Sequence, residues 1–342
     1  MTDVLGPVAA LRRIAFLLER AREDTYKIKA FRSAAATVLA LREDELADHV
    51  RGGTLTSLDG IGASSAKVIA AAWSGELPER LDRLEREHAG PLVPGGREIR
   101  AALRGDLHSH SDWSDGGSPI EEMAFTAIEL GHDYLVLTDH SPRLKIAHGL
   151  SAERLSRQLD VVDAVNDHLD GSFRLLKGIE VDILTDGALD QSDELLARLD
   201  LRVASVHSKL AMDADPMTRR MVTAVQNPRT NVLGHCTGRL VTGNRGTRPG
   251  SDFDARAVFE ACRDHDVAVE INSRPERRDP PTTLLELARD IGCLFSIDSD
   301  AHAPGQLDML DHGCERAEEA GIEPARIVNT WSVERLIAWA NR

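Results

Sequence analysis

The sequence runs Gly105-Asp106-Leu107-His108-Ser109-His110-Ser111-Asp112-Trp113-Ser114-Asp115-Gly116 where its β-rich part begins. Side chains alternate along a strand, so His108 and His110 are expected to point to the same side. Two imidazoles placed in this way can bind one metal ion, and Asp115 follows closely enough to serve that ion or a neighbouring one. A His-x-His pair with one aspartate is a weak signal on its own, so the interpretation depends on further ligands elsewhere in the chain.

Five later stretches supply such ligands, because each places one or two metal-competent residues at the end of an apolar run. They are Thr138-Asp139-His140, Gly178-Ile179-Glu180, Ser205-Val206-His207, Gly234-His235 and Asp300-Ala301-His302. The candidate ligands are therefore His108, His110, Asp115, His140, Glu180, His207, His235, Asp300 and His302. This set is larger than one ion can use, and its mixture of imidazoles and carboxylates suits Mn²⁺, Zn²⁺ or Fe²⁺ better than Ca²⁺.

From residue 105 onward, apolar β-rich runs alternate with amphipathic helices. Strands are predicted near 105–109, 134–139, 174–182, 201–207, 230–235, 267–272 and 294–299. Helices are predicted from Ser118 and near 152–168, 190–199, 215–226, 252–265, 282–291 and 306–320. This alternation indicates an α/β fold with a parallel sheet, most economically closed as a barrel. Every candidate ligand falls at the C-terminal end of a strand, where barrel active sites are built.

The first ninety residues have a different pattern, which predicts a small all-helical domain. Apolar residues at helical spacing predict helices over 8–22 and 26–41, whereas Asp44-Glu45 and Arg51-Gly52-Gly53 predict turns. Gly60-Ile61-Gly62 then opens a further helix, and such an N-terminus presents backbone N–H groups to an anion such as a DNA phosphate. A helical hairpin that merely needs glycine in its turn is the alternative.

Charge and length bound the organisation of the chain. The 342 residues carry a net charge of −15, which argues against a general nucleic-acid binder, but residues 1–90 are nearly balanced, with 13 Lys and Arg against 14 Asp and Glu. Prolines and glycines concentrate around residues 91–104. These features predict a helical domain over 1–90, a linker over 91–104 and a catalytic domain over 105–342.

The sequence carries no sign of a membrane or secreted protein. No apolar run approaches the ~20 residues that span a bilayer, and the start of the chain lacks the basic region of a signal peptide. The four cysteines lack a Cys-x-x-Cys spacing and are expected to be reduced and mostly buried. A cytoplasmic protein without membrane partners is expected.

The helical region resembles a known DNA-binding domain. The spacing Leu58-x-Gly60-Ile61-Gly62-x-x-x-Ala66-x-x-Ile69 resembles the helix-hairpin-helix motif, and the region as a whole resembles the N-terminal DNA-end-binding domain of family X DNA polymerases. The resemblance implies that Gly60, Ile61 and Gly62 contact DNA. Members with deoxyribose-phosphate lyase activity have a lysine where this chain has Val68, and the neighbouring Lys67 points about 100° away around the helix. No lyase activity is therefore expected.

The longer region resembles the PHP (polymerase and histidinol phosphatase) family, and in particular the PHP domain of bacterial family X polymerases. The matching stretches include Ser205-Val206-His207-Ser208-Lys209, Gly234-His235-Cys236-Thr237-Gly238-Arg239-Leu240, Glu270-Ile271-Asn272-Ser273 and Asp300-Ala301-His302. The resemblance implies a distorted (β/α)7 barrel with three divalent metal ions. Cys236 replaces the family's usual proline. No polymerase palm separates the two matching regions, so DNA synthesis is not expected.

The resemblance also distributes the ligands among the three ions. It assigns one ion to His108, His110, Glu180 and Asp300, and these four residues are the expected catalytic set. It assigns a second ion to Glu180, His207 and His235, with Glu180 as the bridge, and a third to Asp115, His140 and His302. Asp139 and Asp182 adjoin ligands and are predicted to orient them through hydrogen bonds.

Lys209, Arg239 and Arg277 are candidates to hold a substrate phosphate, with salt bridges to an acidic wall as the alternative. The remaining histidines of the longer region are predicted to be ordinary surface or packing residues: His132, His148, His168, His265 and His312.

The predicted function is that of a metal-dependent phosphoesterase acting on DNA ends or gaps, through attack of a metal-bound hydroxide on phosphorus. By resemblance, its output is 3′→5′ exonuclease, 3′-phosphatase or abasic-site processing. The alternative is a small-molecule phosphatase of the histidinol-phosphate type, although a DNA-end-binding domain would be superfluous there. A non-catalytic DNA-binding scaffold would be expected to have lost ligands, whereas all nine positions hold metal-competent residues.

Overall fold

The computed structural model describes residues 5–169, 171–243 and 246–342. The chain divides into two compact units, residues 1–91 and 92–342. Within the described residues, no helix is both long and apolar enough to cross a membrane.

The first unit is all-helical, as predicted. Its helices are α1 (Pro7–Arg20), α2 (Thr25–Ala40), α3 (Glu43–Gly52), α4 (Ala63–Trp73) and α5 (Glu79–His88), with a 3₁₀ turn at Leu55–Ser57. Helix α1 is the centre of this unit, because Leu11, Ile14 and Leu17 are fully buried. Arg32 of α2 pairs with the buried Glu19 of α1 at 2.7 Å, so the apolar core also holds one internal ion pair.

The interpretation of Asp44-Glu45 and Arg51-Gly52-Gly53 as turns is wrong for Asp44, Glu45, Arg51 and Gly52, which belong to helix α3, whereas Gly53 lies in a turn as the C-cap of this helix. The Glu45 side chain accepts a hydrogen bond from the Arg42 backbone N–H at 3.0 Å, which caps the start of the helix. Gly53 ends it in a left-handed conformation, with φ of 65°. The acidic residues form the first turn of a helix, and Gly53 ends it. Residues that cap a helix are also common in turns, which is why the sequence pattern predicted turns here.

The second unit is a nearly closed barrel of seven parallel strands, which confirms the predicted fold class. The strands are β1 (Gly105–Ser109), β2 (Tyr134–Leu137), β3 (Arg174–Asp182), β4 (Leu201–Ser205), β5 (Val232–Leu233), β6 (Ala268–Asn272) and β7 (Phe295–Asp298). They pair in chain order. The seam between β7 and β1 is bridged just beyond the strand ends, where the His110 N–H donates to the Ala301 carbonyl at 2.8 Å.

Helices connect and cover the strands. They are α6 (Arg97–Ala102), α7 (Ile120–Glu129), α8 (Ala152–Asp167), α9 (Asp193–Leu196), α10 (Ala214–Val225), α11 (Ala255–Asp264), α12 (Thr282–Ile291), α13 (Leu310–Glu319) and α14 (Val333–Ala340). Helix α6 lies within the stretch predicted as a linker. Helix α9 is shorter than the predicted 190–199, and residues 304–309 form a 3₁₀ helix ahead of α13. The sequence pattern did not predict α14.

The barrel interior is apolar toward the N-terminal ends of its strands and polar toward their C-terminal ends. Val136, Leu176 and Val203 belong to one buried cluster that also contains Trp331 and Leu336 from the C-terminal segment. Glu180 follows Leu176 by four positions on β3, so the two side chains lie on the same face of the strand. The metal-competent side chains therefore stand above an apolar floor.

Candidate metal centre

The buried carboxylate of Glu180 lies at the centre of the predicted ligands. Its Oε1 is 2.8 Å from His235 Nε2 and 3.1 Å from His207 Nε2. Its Oε2 is 2.8 Å from His140 Nδ1 and 3.4 Å from His108 Nε2. His110 Nε2 is 3.6 Å from the same Oε2, so one carboxylate faces five imidazoles, which is the arrangement expected of a group that bridges metal ions.

A second carboxylate, Asp300, faces the two histidines of the His-x-His stretch. Its Oδ1 is 3.4 Å from His110 Nε2 and 3.9 Å from His108 Nε2. The backbone of Asp300 has a φ of 51°, a left-handed conformation that is uncommon for residues other than glycine. A strained backbone of this kind is typical of positions whose side chain is held for a function.

The third predicted group lies at the partly exposed edge of the cluster. The Oδ1 of Asp115 is 3.4 Å from His140 Nε2 and 3.3 Å from His302 Nε2. The turn that carries Asp115 is fastened to the same region, since the Gly117 N–H donates to the His302 carbonyl at 2.7 Å. His110 also joins this group, because ligand atoms of all four residues lie within 4.8 Å of one another. The structure therefore brings together all nine predicted ligands.

The cluster fits divalent metal ions because its inward-facing atoms lack other partners. Within the described residues, several buried nitrogen and oxygen atoms have no hydrogen bond, including His108 Nε2, both ring nitrogens of His110 and of His207, and Glu180 Oε2. Buried polar atoms without partners are costly unless something binds them. Imidazole and carboxylate donors are the set that Mn²⁺, Zn²⁺ and Fe²⁺ accept.

Without metal, protons on the histidines balance the carboxylates. Burial opposes the ionised form of Glu180, but the charges of His207, His108 and His140 outweigh it and hold the pKa of Glu180 well below its usual value. Burial likewise opposes the protonated form of His140, but Glu180 and Asp115 raise its pKa to about 10. His110 behaves in the opposite way, because burial and the electrostatic effect of the neighbouring His302 and His140 lower its pKa well below the usual value.

These pKa shifts predict that metal affinity increases with pH. A histidine must lose its proton before it can bind a metal ion, and His140 keeps its proton up to about pH 10 in the metal-free protein. Each proton displaced makes affinity increase about tenfold per pH unit, so Mn²⁺ should bind at least about ten times more tightly near pH 8 than near pH 7. Calorimetry in two buffers with different heats of ionisation measures both the affinity and the proton release. Equal affinity at both pH values would contradict the prediction.

Three residues to which sequence reasoning gave no role hold the ligands in place. Glu270 Oε1 lies 2.5 Å from His108 Nδ1, and Glu270 Oε2 accepts a hydrogen bond from the His235 backbone N–H. Asn272 Nδ2 donates to Asp300 Oδ2 at 3.1 Å. Arg274 Nη1 lies 3.1 Å from His302 Nδ1. The available signal was the period-two spacing of Glu270, Asn272 and Arg274 along and just beyond β6, which repeats the spacing of His108 and His110 on β1.

The two aspartates predicted to orient ligands differ in what they contact. Asp182 Oδ1 accepts a hydrogen bond from the His207 backbone N–H at 3.1 Å and lies 3.3 Å from His207 Nδ1, so it contacts a candidate ligand directly. Asp139 instead accepts hydrogen bonds from the Ser111 hydroxyl at 2.6 Å and from Gln158 at 2.6 Å. It braces the turn that follows His110 against helix α8.

The three predicted phosphate-binding residues have different surroundings. Arg277 Nε donates to Asp300 Oδ2 at 3.0 Å, so the salt-bridge alternative describes this contact. Arg239 is half-buried, and its Nε donates to the Arg277 carbonyl at 3.1 Å. Lys209 is exposed and has a left-handed backbone, with φ of 56°. Of these three residues, Lys209 alone is exposed and has no side-chain hydrogen bond or ion pair with the described residues.

The other histidines and the cysteines lie apart from these groups. His148, His168 and His265 are exposed and His312 is half-buried, whereas His132 is buried, and burial together with Arg100 lowers its pKa to about 3. The four cysteines are free thiols and all are buried: Cys236, Cys262, Cys293 and Cys314.

The glycine-rich turn of the first unit precedes a helix, as predicted. Gly62 is the N-cap of α4, and Gly60 has a left-handed backbone with φ of 77°. The Gly60 and Ile61 N–H groups donate to Asp59 Oδ1 and the Leu58 carbonyl, and the Gly62 N–H donates to Ser65 Oγ at 3.0 Å. All three amides thus have acceptors within the unit.

A parallel barrel that gathers histidines and carboxylates at the C-terminal ends of its strands defines a metal-dependent hydrolase. The PHP domain profile matches residues 106–274, and a helix-hairpin-helix domain profile matches residues 6–75. The protein named "Probable phosphatase" from Syntrophotalea carbinolica is 30% identical over 235 residues, covering 66% of this chain and 90% of that protein. The chain therefore belongs to the PHP family, and it is a metal-dependent phosphoesterase.

Two further proteins show the range of these similarities. The protein named "DNA polymerase/3'-5' exonuclease PolX" from Bacillus subtilis is 39% identical over 278 residues, which cover 75% of this chain. This chain spans only 48% of that protein. A crystal structure of histidinol phosphate phosphatase from Lactococcus lactis, with zinc, L-histidinol and phosphate, is 17% identical with a TM-score of 0.47, covering 65% of this chain and 95% of that one.

Proposed function

We propose that the protein hydrolyses phosphoesters at DNA ends or gaps in DNA repair, as a 3′→5′ exonuclease, a 3′-phosphatase or an abasic-site-processing enzyme. The observation that carries the proposal is the helix-hairpin-helix unit on the same chain as the phosphoesterase centre. We assign DNA-end binding to residues 1–90, a linker to 91–104 and phosphoester hydrolysis to 105–342. The similarity to the Bacillus subtilis exonuclease supports this assignment. Free cysteines favour a cytoplasmic location.

The nine clustered residues would hold three divalent ions, grouped as the sequence resemblance implies. Ions held there would activate water as a nucleophile and neutralise charge on the phosphoryl oxygens. Glu180 and Asp300 supply the negative charge that concentrates cations. Glu270 and Asp182 orient His108 and His207 from behind.

Three cationic side chains are proposed to bind the substrate phosphate. Arg277 fixes Asp300 through its Nε and would direct the rest of its guanidinium group to a phosphoryl oxygen. Arg239 donates a hydrogen bond to the Arg277 carbonyl and would add its positive charge on the same side of the site. Lys209, exposed beside His207, would contact a neighbouring phosphate as a mobile point charge.

The turn at Gly60, Ile61 and Gly62 is proposed to place a DNA phosphate at the N-terminus of α4. The Gly62→Glu variant tests this, because Gly62 has an ordinary φ of −92° and an added Cβ would meet no atom within 4 Å. A carboxylate suits a helix N-terminus, so folding should be preserved while DNA phosphate is repelled. We expect DNA affinity to decrease about tenfold, measured by fluorescence anisotropy, with unchanged hydrolysis of p-nitrophenyl phosphate.

A matched control is Gly6→Glu. Gly6 is the N-cap of α1 in the same unit, has a φ of −65° and likewise has no atom within 4 Å of an added Cβ. It adds the same charge at a helix start that the proposal does not use. Equal DNA affinities for the two variants would show that the α4 N-terminus has no special role in DNA binding.

The second candidate function is a small-molecule phosphatase of the histidinol-phosphate type. It is favoured by relatives named "Probable phosphatase", of which this chain covers about nine-tenths. An activity panel separates the two candidates: a 3′-recessed duplex, a 3′-phosphate end, an abasic site and histidinol phosphate. We expect kcat/KM for one of the DNA substrates to exceed that for histidinol phosphate, and the reverse ranking would support the alternative.

The incised abasic substrate also tests the proposed absence of lyase activity. Val68 is buried in the core of the first unit, and Lys67 is exposed on another face of α4. Neither residue can present an amine where the lyases of family X polymerases have theirs. Borohydride should therefore trap no covalent adduct, and an adduct that disappears in Lys67→Ala would contradict this expectation.

A further inference from the structure

Residues 141–150 form a short loop, here called the rim loop, whose two ends meet at a residue of the metal centre. The Leu150 N–H donates to the His140 carbonyl at 2.7 Å, so the chain leaves His140 and returns directly to it. The closure is tight at Gly149, where an added Cβ would lie 1.9 Å from the Ser141 carbonyl oxygen. Whatever the rim loop contacts is therefore adjacent to the phosphoesterase site.

The backbone of the rim loop is held firmly from several sides. Asp190 Oδ2 accepts hydrogen bonds from the Ser141 hydroxyl at 3.0 Å and from the Arg143 N–H at 2.6 Å. Arg154 of α8 donates to the His148 carbonyl at 2.6 Å and also to the Trp113 carbonyl. The loop is thus tied both to the segment after β3 and to the turn after His110. These contacts hold in place the backbone that carries its exposed side chains.

The outward side chains are cationic and apolar. Arg143 and Lys145 are exposed, and neither forms an ion pair with any residue in the part of the chain that the structure describes. Ile146 between them at the tip is 89% exposed, more than any other large apolar side chain described. The segment contains no aspartate or glutamate, although the chain as a whole has a net charge of −15. A cationic surface with an apolar tip beside the site is complementary to a polyanion that carries apolar faces.

The dimensions match the first few nucleotides of a strand. Ile146 is four residues from Leu150, so its Cα lies at most about 14 Å from the Leu150 Cα, which is itself hydrogen-bonded to His140. Nucleotides in a helical strand advance about 3.4 Å each, so the tip lies within the length of about four nucleotides of Leu150, which is bonded to a residue of the metal centre. Isoleucine is one of the apolar side chains that proteins insert against bases.

We propose that the rim loop grips the DNA strand that enters the metal centre, with Arg143 and Lys145 on phosphates next to the reacting one and Ile146 against a base at the end. This proposal rests on the proposed function in DNA hydrolysis. It adds which residues bind the DNA next to the reacting phosphate. A small phosphoester is too short to reach these side chains. The rim loop therefore distinguishes a polynucleotide from a small phosphoester.

The test compares the full-length double variant Arg143→Ala/Lys145→Ala with wild type on a single-stranded hexanucleotide and on p-nitrophenyl phosphate. Each phosphate contact to a single strand contributes about 0.7 to the slope of log K against log salt, so the slope should become shallower by about 1.4 and KM should increase about 25-fold at about 0.1 M salt. Ile146→Ser should increase KM without changing the slope. Hydrolysis of p-nitrophenyl phosphate should stay at the wild-type level in both variants.

The matched controls lie on helices away from the loop: Arg256→Ala, an exposed arginine on α11, and Ile128→Ser, a partly exposed isoleucine on α7. If the double variant keeps the wild-type KM and salt slope, or matches Arg256→Ala, the proposal is overturned. If wild type cleaves no DNA, the proposed function fails separately, and inhibition of p-nitrophenyl phosphate hydrolysis by the hexanucleotide tests the loop. Weaker inhibition of the double variant supports the rim-loop contact, and equal or absent inhibition overturns it.

Discussion

The Glu180→Ala protein is expected to lose most of its bound metal and at least about 10³-fold in kcat/KM. Five imidazole nitrogens lie 2.8 to 3.6 Å from the oxygens of this carboxylate, so its removal deprives two proposed ions of a shared anionic ligand. Metal-assisted charge stabilisation is worth several kcal/mol, which corresponds to about this loss in rate. Metal content by mass spectrometry and hydrolysis of p-nitrophenyl phosphate measure the two effects on the same preparation.

His302→Ala is the matched comparison, because His302 lies at the rim and is proposed to hold one ion. Its nearest carboxylate partner is Asp115, at 3.3 Å, and its side chain is partly exposed. It should therefore cost less metal than Glu180→Ala. Equal metal content in wild type and the Glu180→Ala protein would overturn the bridging role, whereas equal losses in the two variants would show that the cluster binds its ions as a single unit.

The residues that the sequence could predict are those that combine metal-competent chemistry with the end of an apolar run. Glu180 and His207 stand out in this way, and the barrel brings them within 3.1 Å because parallel strands end on one face. Lys209 lies two residues after His207 in the sequence, but its lack of salt bridges to the described residues depends on tertiary surroundings that no local pattern encodes. The pairing of Arg277 with Asp300 is of the same kind, since 23 residues separate the two.

Helix boundaries failed where local signals were ambiguous. The acidic start of α3 is equally compatible with a turn, and only the hydrogen bond from the Arg42 N–H to Glu45 resolves it. Helix α14 is short and lies beyond the last strand, so the strand–helix alternation gave no reason to expect it. Its Leu336 nevertheless completes the apolar floor beneath the metal centre. Packing beneath the barrel, rather than periodicity, accounts for α14, whereas a capping hydrogen bond accounts for the start of α3.

Glu270 shows most clearly what sequence reasoning missed and what the structure adds. Its position within β6 looks like part of a matching stretch with no chemistry of its own. In the structure its Oε1 faces His108 Nδ1, and its Oε2 accepts hydrogen bonds from the His235 N–H and from Asn272 Nδ2. A carboxylate that accepts at Nδ1 keeps the proton there and leaves His108 Nε2 with a lone pair for a metal ion.

The Glu270→Gln protein should consequently bind metal 10- to 100-fold more weakly, the usual cost of losing a partner that orients a ligand. Glutamine has the same shape but offers one acceptor and one donor. If its NH₂ faces His108, the imidazole must accept there and carry its proton on Nε2, which blocks the metal. If its NH₂ faces the His235 N–H and Asn272, donors oppose donors in a buried site.

Three measurements separate this positioning role from general damage to the fold. Titration with Mn²⁺ should show the weaker affinity, and saturating Mn²⁺ should restore most of the kcat, whereas a damaged barrel would not recover. Glu260→Gln, on the exposed face of α11, is the control for the amide substitution itself and should match wild type. If Glu270→Gln binds Mn²⁺ as tightly as wild type, the orientation of His108 does not depend on this carboxylate, and the β1 strand alone must fix it.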